Sequence, residues 1–387
     1  MNGPRLVIIL SDGIRGHVNQ SRGVALWLSR LGGCPNRELT VPKISSAKRF
    51  LALKVRLKTL PRGDRERARR WLEKSEGMAL MIAIFGILEE EGLSGRETLF
   101  LSTGSTAAPY CLALARFFGA RAATVMTPSI LGTRPFDYAV VPAHDCPRRA
   151  GNTYVTLGAP NAIETEKLKK EAEILFAKYP PDSPVRWGVL IGGDDRNYRI
   201  SGGWIHKTIG FLVNDARKKG ADLYLTTSRR TSPDAERALE SLAGEIPAFR
   251  MMLLASKDPS NPVPGILGGC QEVFCTEDSV SMVSETATAG FVVRLLRVDR
   301  QRGLRWVLQQ LTAGLVKGLG LPGRFLWGAP RFDAMLESFA ELGLLVEGRQ
   351  KDFLPINRNG MTKPVFNEAR GAAAWIMENW ENQSESL

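Results

Sequence analysis

The sequence predicts an α/β protein made of two doubly wound domains, each a parallel sheet with helices on both faces. Three observations carry that expectation. Short apolar runs alternate with helix-length amphipathic ones, the pattern that βαβ units require. The break Tyr179-Pro180-Pro181-Asp182-Ser183-Pro184 interrupts the chain near its middle, and the same alternation restarts after it. At 387 residues the chain is long enough for two hydrophobic cores.

The elements follow in order. Leu6 to Leu10 is a buried strand, and Asn19 to Leu31 is a helix stopped by Gly32-Gly33. Thr98 to Ser102 is a strand, followed by a glycine turn and the helix Ala107 to Phe118. Ala122 to Met126 and Tyr138 to Val141 are two more strands, and Glu164 to Lys178 is a charged helix. Beyond the break, Trp187 to Ile191 is a strand, Trp204 to Lys219 a helix and Asp222 to Thr226 a strand. Pro233 to Leu242 is a helix with its proline in the first turn. Phe249 to Leu254, Val273 to Cys275 and Phe291 to Leu296 complete the strands. Gly303 to Gln350 adds helical patterning with no readable role, and Ala369 to Trp380 is a final amphipathic helix. The expected domains are therefore 1–178 and 185–365, with 366–387 as a terminal helix and a disordered tail from Glu381. Sheets of this kind bind ligands beyond the carboxyl ends of their strands, so the site is expected in the cleft between domains.

Composition narrows the function classes. Hydrophobic residues make up 44% and charged ones 24%, ordinary values for a globular protein. Leu6 to Leu10 is too short for the apolar region of a signal peptide, and Met78 to Leu88 is too short to span a membrane. Five scattered cysteines without a CxxC spacing imply reduced thiols and a cytoplasmic protein. His17, His144 and His206 are too far apart to suggest a zinc site, and no metal is expected. The net charge of +12 favours anionic partners: nucleotides, nucleic acid or acidic lipid.

The most informative segment is Thr276-Glu277-Asp278-Ser279-Val280-Ser281-Met282-Val283-Ser284-Glu285, which follows a strand-like run. Hydroxyls gather at an expected helix start, where free backbone N–H groups attract phosphate. Glu285 lies four residues beyond Ser281, on the same helix face, where a carboxylate accepts the two hydroxyls of a ribose. Glu277, Asp278, Ser279, Ser281, Met282 and Glu285 are thus candidates for a nucleotide-sugar site. An ordinary helix capped by Asp278 or Ser279 explains the segment equally well.

Five further loops carry candidate chemistry. Ser11 to Gln20 fails the dinucleotide and P-loop glycine patterns but packs Asp12, Gly13, Arg15, Gly16, His17, Asn19 and Gln20 into one turn. Asp12 or His17 is the candidate base for an acceptor hydroxyl. Gly104 and Ser105 sit at a second strand-to-helix turn, and His144 near a strand end; either serves the acceptor side or simply caps structure. Val141 to Asp145 resembles an HD phosphohydrolase signature, but three histidines cannot complete that ligand set. Gly192 and Gly193, with Arg196 and Arg199, open the second domain as a phosphate-approach loop, and Ser228, Arg229 and Arg230 end a strand with an anion-binding composition. Asp194-Asp195 is weak evidence for Mg²⁺, so arginines, serines and a helix dipole are expected to hold the leaving charge.

Lysines and arginines crowd the segment from Lys43 to Arg70, opposed only by Asp64 and Glu66. Phe50, Leu53, Leu57 and Leu60 fall on one helix face there. Residues 48–70 are expected either to lie on an anionic membrane surface or to dock that face on their own domain. Nucleic acid is not expected, because Phe50 and Trp71 form no stacking platform.

With these segments in view, the chain resembles the family named after the plant "elongated mitochondria" fission protein, which has many bacterial members. The stretches that carry the resemblance are Ser11 to Gln20, Pro135-Phe136-Asp137 through His144-Asp145, Gly192-Gly193, Thr226 to Thr231 and Thr276 to Glu285. That family looks like GT-B glycosyltransferases, and especially like the lipid-linked transferase that adds N-acetylglucosamine in peptidoglycan synthesis. Gly16-His17 matches its acceptor-facing loop, and Ser281 to Glu285 its nucleotide-holding helix start. Ser11-Asp12-Gly13 replaces a denser glycine run, and Phe291 stands where a proline is usual. The resemblance implies two Rossmann-like domains, with the terminal helix crossing back to the first. It implies a nucleotide-diphosphate sugar as donor substrate, no further cofactor, and a lipid-linked or anionic acceptor at the cytoplasmic face of the inner membrane. A nucleotide-sugar epimerase using His144, Asp145, Asp194 and Asp195, and a non-catalytic membrane scaffold, are the alternatives.

Overall fold

The computed structural model describes residues 3–145, 147, 150–245, 249–301, 307, 311, 332–348 and 366–381. Most of the patterning expected over Gly303 to Gln350, and all of the expected tail except Glu381, lies outside the described residues. Two compact units divide the chain: Met1–Ala162 together with Asn367–Leu387, and Ile163–Phe366.

In the first unit β1 (Leu6–Ser11) leads into α1 (Arg15–Gly32) and β2 (Asn36–Thr40). Three helices follow: α2 (Ala47–Lys58), α3 (Arg65–Lys74) and α4 (Met78–Glu90). Then come β3 (Thr98–Thr103), α5 (Gly104–Phe118), β4 (Arg121–Val125), β5 (Tyr138–Pro142) and β6 (Thr153–Thr156). The sheet order is β2-β1-β3-β4-β5-β6, with every pairing parallel. Leu6 to Leu10 are each at most 1% exposed, as a central parallel strand covered on both faces demands.

The second unit begins with α6 (Leu168–Lys178) and β7 (Arg186–Ile191). A two-residue strand β8 (Tyr198–Arg199) precedes α7 (Gly202–Trp204), which runs through a π-helical turn at Ile205–Ile209 into α8 (Gly210–Lys218). Next are β9 (Asp222–Thr227), α9 (Pro233–Glu245), β10 (Phe249–Leu253), α10 (Val263–Gly269), β11 (Glu272–Thr276) and α11 (Val280–Thr288). β12 (Val293–Leu296), β13 (Asp299–Arg300), α12 (Phe332–Glu341) and β14 (Leu345–Glu347) complete it. Its main sheet runs β10-β9-β7-β11-β12-β14, again all parallel, and β13 pairs antiparallel with β8. α6 packs on α10, so the division falls at Ala162, ahead of this helix, whereas the proline break that suggested a boundary follows it.

The chain then returns to the first unit as α13 (Glu368–Glu378), which packs on α1. Trp375 and Trp380 meet Tyr138 of β5 at centroid distances of 5.7 and 6.1 Å. The Glu368 carboxylate accepts the Leu157 N–H at 3.1 Å, and burial pushes its pKa up to about 7.

Both sheets belong to the doubly wound class. In the first, the chain leaves β1 toward β2 and resumes at β3 on the other side. In the second, it leaves β7 toward β9 and β10 and resumes at β11. The carboxyl ends of β1 and β3, and of β7 and β11, are therefore the topological switch points where such sheets bind ligands.

Candidate functional site

At the first switch point, α1 begins at Arg15, four residues before the expected helix start. Gly16, His17, Asn19 and Gln20 consequently stand on its first turns, and the loop proper is Asp12-Gly13-Ile14. Ile14 occupies the cap position without a side-chain cap. Asp12 instead reaches past it: one carboxylate oxygen accepts the Ile14 N–H at 3.0 Å and the other meets His17 Nδ1 at 2.8 Å. The Asp12 side chain is only 2% exposed and that of His17 is 27% exposed, so the pair has a buried anchor and an accessible ring. A carboxylate at Nδ1 selects the tautomer with the proton there and leaves the Nε2 lone pair as acceptor.

The His17 ring lies against Gly104, the first residue of α5. Gly104 has φ +83°, and a Cβ there would stand 2.7 Å from the imidazole. Glycine is thus required both by backbone conformation and by the ring. Around this pair, the Ser21 and Thr103 hydroxyls bond at 2.6 Å, Ser105 Oγ accepts the Ser129 N–H at 2.8 Å, and Asp145 accepts the Thr127 N–H at 3.1 Å. The segment after β4 is tied to both neighbouring strand ends, and Met126 and Ile130 hold φ +67° and +75° there. Such non-glycine conformations concentrate at functional loops. Gln20 turns inward, its amide on the Gly16 carbonyl at 3.3 Å. His144 is mostly buried, its Nε2 3.8 Å from Asp145. Gly13 is exposed at φ +76°, and Asn19 is partly buried on the first turns of α1.

At the second switch point, Asp278 joins three strand ends. Its carboxylate, 0% exposed, accepts the Gly193 N–H at 2.8 Å and the Arg230 guanidinium at 3.0 Å. Arg230 also donates to the Gly193 carbonyl at 3.1 Å, and Asp194 N–H returns to the Arg230 carbonyl at 2.9 Å. Thr276 Oγ1 accepts the Gly192 N–H at 2.8 Å, while Thr231 Oγ1 donates to the Gly192 carbonyl at 2.5 Å. A Cβ on Gly192 would meet the Asp278 carboxylate at 2.1 Å, which fixes glycine there. Burial raises the pKa of Asp278, partly offset by its Thr276 and Gly193 hydrogen bonds and by Arg230. Glu277 is equally committed: it accepts the Val298 N–H at 2.9 Å and Arg297 at 2.8 Å. Glu277, Asp278 and Arg230 therefore brace the loops from within.

The groups left toward the carboxyl end are different. Ser279 stands at the cap position of α11, yet its hydroxyl makes no cap hydrogen bond. The helix opens without an acidic first turn, and Ser281 Oγ donates to Glu285 at 3.0 Å. Ser281, Met282 and Glu285 are all partly buried. Ser228 Oγ accepts the Arg230 N–H at 3.2 Å in the turn after β9, and Arg229 is exposed beside it. Arg196 and Arg199 are exposed on the β7–β8 loop and β8, and the arginine that reaches Asp278 is Arg230.

The family described as Mitochondrial fission ELM1 matches residues 15–380. The chain belongs to that family. No curated protein matches the sequence. Among solved structures, the chain is similar to a UDP-GlcNAc 2-epimerase from Neisseria meningitidis bound to UDP-GlcNAc, at 12% identity, 97% coverage of this chain, 99% of the other and a TM-score of 0.47. It is similar to a UDP-glucosyltransferase from Polygonum tinctorium capable of glucosylating indoxyl, at 12% identity, 98% and 100% coverage and a TM-score of 0.46. It is also similar to a glycosyl transferase family 9 protein from Veillonella parvula, at 11% identity, 89% and 98% coverage and a TM-score of 0.45.

For this member of the ELM1 family, the sequence reading passed over Ser21 and Arg297 and gave no individual role to Thr103, Thr231 and Thr276, which lie in or beside the stretches it quoted. The three threonines stand at or just beyond strand ends, and that hydroxyl placement was the readable signal. Among the described residues no group of three or more His, Cys, Asp or Glu side chains could hold a metal ion, and no helix is long and apolar enough to cross a membrane.

Proposed function

We propose that this ELM1-family chain is a metal-independent glycosyltransferase of the GT-B type. It would move a sugar from a nucleotide-diphosphate sugar to a lipid-linked or anionic glycan acceptor at the cytoplasmic face of the membrane. The observation that carries the reading is the Asp12–His17 pair, 2.8 Å apart at a switch point, with its ring seated on a glycine. In this reading His17 Nε2 takes the proton of the acceptor hydroxyl, and Asp12 stabilises the imidazolium that forms. The acceptor oxygen bonds to the sugar anomeric carbon as its bond to the donor phosphate oxygen breaks. The nucleoside diphosphate leaves toward Ser279, Ser281, Ser228, Arg229 and the N-terminus of α11, where backbone N–H groups favour an anion. Glu285 accepts the ribose hydroxyls.

An epimerase on the same scaffold is less favoured, because Asp194 and Asp195 already spend carboxylate oxygens on backbone N–H groups. Asp194 accepts from Ile200, and Asp195 from Asn197 and Tyr198, at 2.7–2.8 Å. Calorimetry with a panel of nucleoside diphosphates tests the donor half. One of them should bind, and Glu285→Ala should weaken it at least about tenfold, the loss of one hydrogen bond to a charged group. Equal affinity in the variant removes the ribose role. Release of nucleoside diphosphate from its sugar conjugate, followed with membrane lipid as acceptor source, tests the base; undiminished release by both Asp12→Ala and His17→Ala overturns the assignment.

A further inference from the structure

The structure shows which face of the basic segment is available. Leu53 and Leu57 of α2 are 4% and 1% exposed, and Phe50 and Leu60 pack on the core beside them. The face that the sequence offered to a membrane is thus the one α2 buries in its own unit. The opposite face carries Leu51 and Val55, one turn apart and half exposed, between exposed Lys48, Arg56 and Lys58. α2 contains no acidic residue.

Between α2 and α3 lies a groove of about 280 Å³. Leu53, Leu57 and Trp71 form its apolar side, and Arg56, Arg70 and Lys74 its charged rim. The groove is preformed: the Trp71 indole donates to the Leu53 carbonyl at 2.9 Å, and Arg49 of α2 donates to the Lys74 carbonyl. Arg70 pairs with Glu66 at 3.2 Å on its own helix. Arg56 and Lys74 form no ion pair with any described residue. Two uncompensated cations beside an apolar wall, next to exposed aliphatic residues on a basic helix, complement an amphiphile with an anionic head.

We propose that the α2–α3 surface docks on anionic phospholipid bilayers, with the lipid phosphate in the groove on Arg56 and Lys74 and with Leu51 and Val55 entering the headgroup layer. The site is separate from the Asp12–His17 pair, and the proposal stands whether or not the chain transfers sugars. Basic residues near an anionic membrane each contribute on the order of a tenfold or smaller factor, and aliphatic insertion adds to them.

The test is co-sedimentation of the full chain with vesicles of phosphatidylcholine alone or mixed with phosphatidylglycerol. Binding is expected only to the mixed vesicles. The double variant Arg56→Gln, Lys74→Gln should weaken it about thirtyfold, and Leu51→Ser, Val55→Ser should weaken it severalfold without abolishing the salt dependence. Lys169→Gln, Lys170→Gln, an equal charge change on exposed positions of α6, should leave it unchanged. Equal binding to both vesicle types, no binding to either, or equal weakening by the two charge pairs overturns the proposal. So does displacement of the protein from vesicles by inorganic phosphate at matched ionic strength, which would show a phosphate site and no membrane contact.

Discussion

Replacing Asp278 with alanine should damage the second unit more than replacing its partner Arg230, although both variants lose the same ion pair. The asymmetry follows from burial. Asp278 is fully enclosed, whereas Arg230 is 44% exposed. Without Asp278, the buried Gly193 N–H has no acceptor, which costs about 1–3 kcal/mol. Arg230 keeps its bond to the Gly193 carbonyl and turns to water, adding less than about 1 kcal/mol. Removing a carboxylate whose pKa burial has raised returns part of that loss. A net cost of about 2 kcal/mol lowers the melting temperature of a unit this size by roughly 4–8 °C.

Arg230→Ala behaves differently, because it leaves the carboxylate buried with less positive charge nearby. The Asp278 pKa then rises further above its unfolded value. In the window between the two values the folded state binds the extra proton, so stability falls as pH rises, and the penalty is complete above the folded pKa. The variant should lie closer to wild type at pH 5 than at pH 8, where its deficit is larger. Scanning calorimetry at both pH values, with and without a nucleoside diphosphate, reads all of this. Asp278→Ala melting within a degree of wild type, or Arg230→Ala being the worse variant at pH 5, would refute the bracing role.

Two other perturbations follow from the first unit. Gly104→Ala forces a β-carbon into the His17 ring at a positive φ, costing about 1–2 kcal/mol for the backbone alone. It should reduce sugar transfer as far as His17→Ala does while leaving nucleotide affinity intact, and undiminished transfer would show that ring placement is irrelevant. Glu368→Gln addresses a carboxyl whose pKa is raised to about 7, above the usual 4.5. Since the folded state holds that proton between the two values, stability of the first unit should fall as pH rises through this window, by up to roughly 3 kcal/mol in wild type and much less in the glutamine variant. Chemical denaturation at pH 5 and pH 8 measures the difference, and parallel pH profiles would contradict it.

The central strands were legible because a strand covered on both faces must be a continuous apolar run, as Leu6 to Leu10 and Val189 to Ile191 are. Edge strands escape that rule. β2 reads Asn-Arg-Glu-Leu-Thr, with alternate residues exposed, and β6 is only the four residues Thr-Tyr-Val-Thr, with Thr156 alone buried, so neither announces itself. The early start of α1 was hidden for another reason. Gly16 is a weak helix former, and the cap position holds Ile14, so the stabilisation comes from Asp12 two residues upstream rather than from a local cap. The boundary ahead of α6 was equally invisible, since a helix belongs to whichever unit it packs on, here through α10.

Residue type located the candidate site better than it assigned roles. Asp12 and His17 are five residues apart, a spacing that places them on no common helix face. Only the turn that lets one carboxylate bond both Ile14 and the ring brings them together. Asp278 looked like a helix cap because its decisive partner, Gly193, is 85 residues away. The same carboxylates that suggest binding in sequence are, in the fold, the means by which the segments after β7, β9 and β12 are held to the end of β11. The N–H groups of Gly192, Gly193 and Asp194 are spent on Thr276, Asp278 and Arg230, so this loop is held by its own donors. Buried Glu277 and Asp278 ahead of partly buried Ser281 and Glu285, like buried Asp12 beside the more accessible His17, show the same division between a committed anchor and a more open neighbour at both switch points.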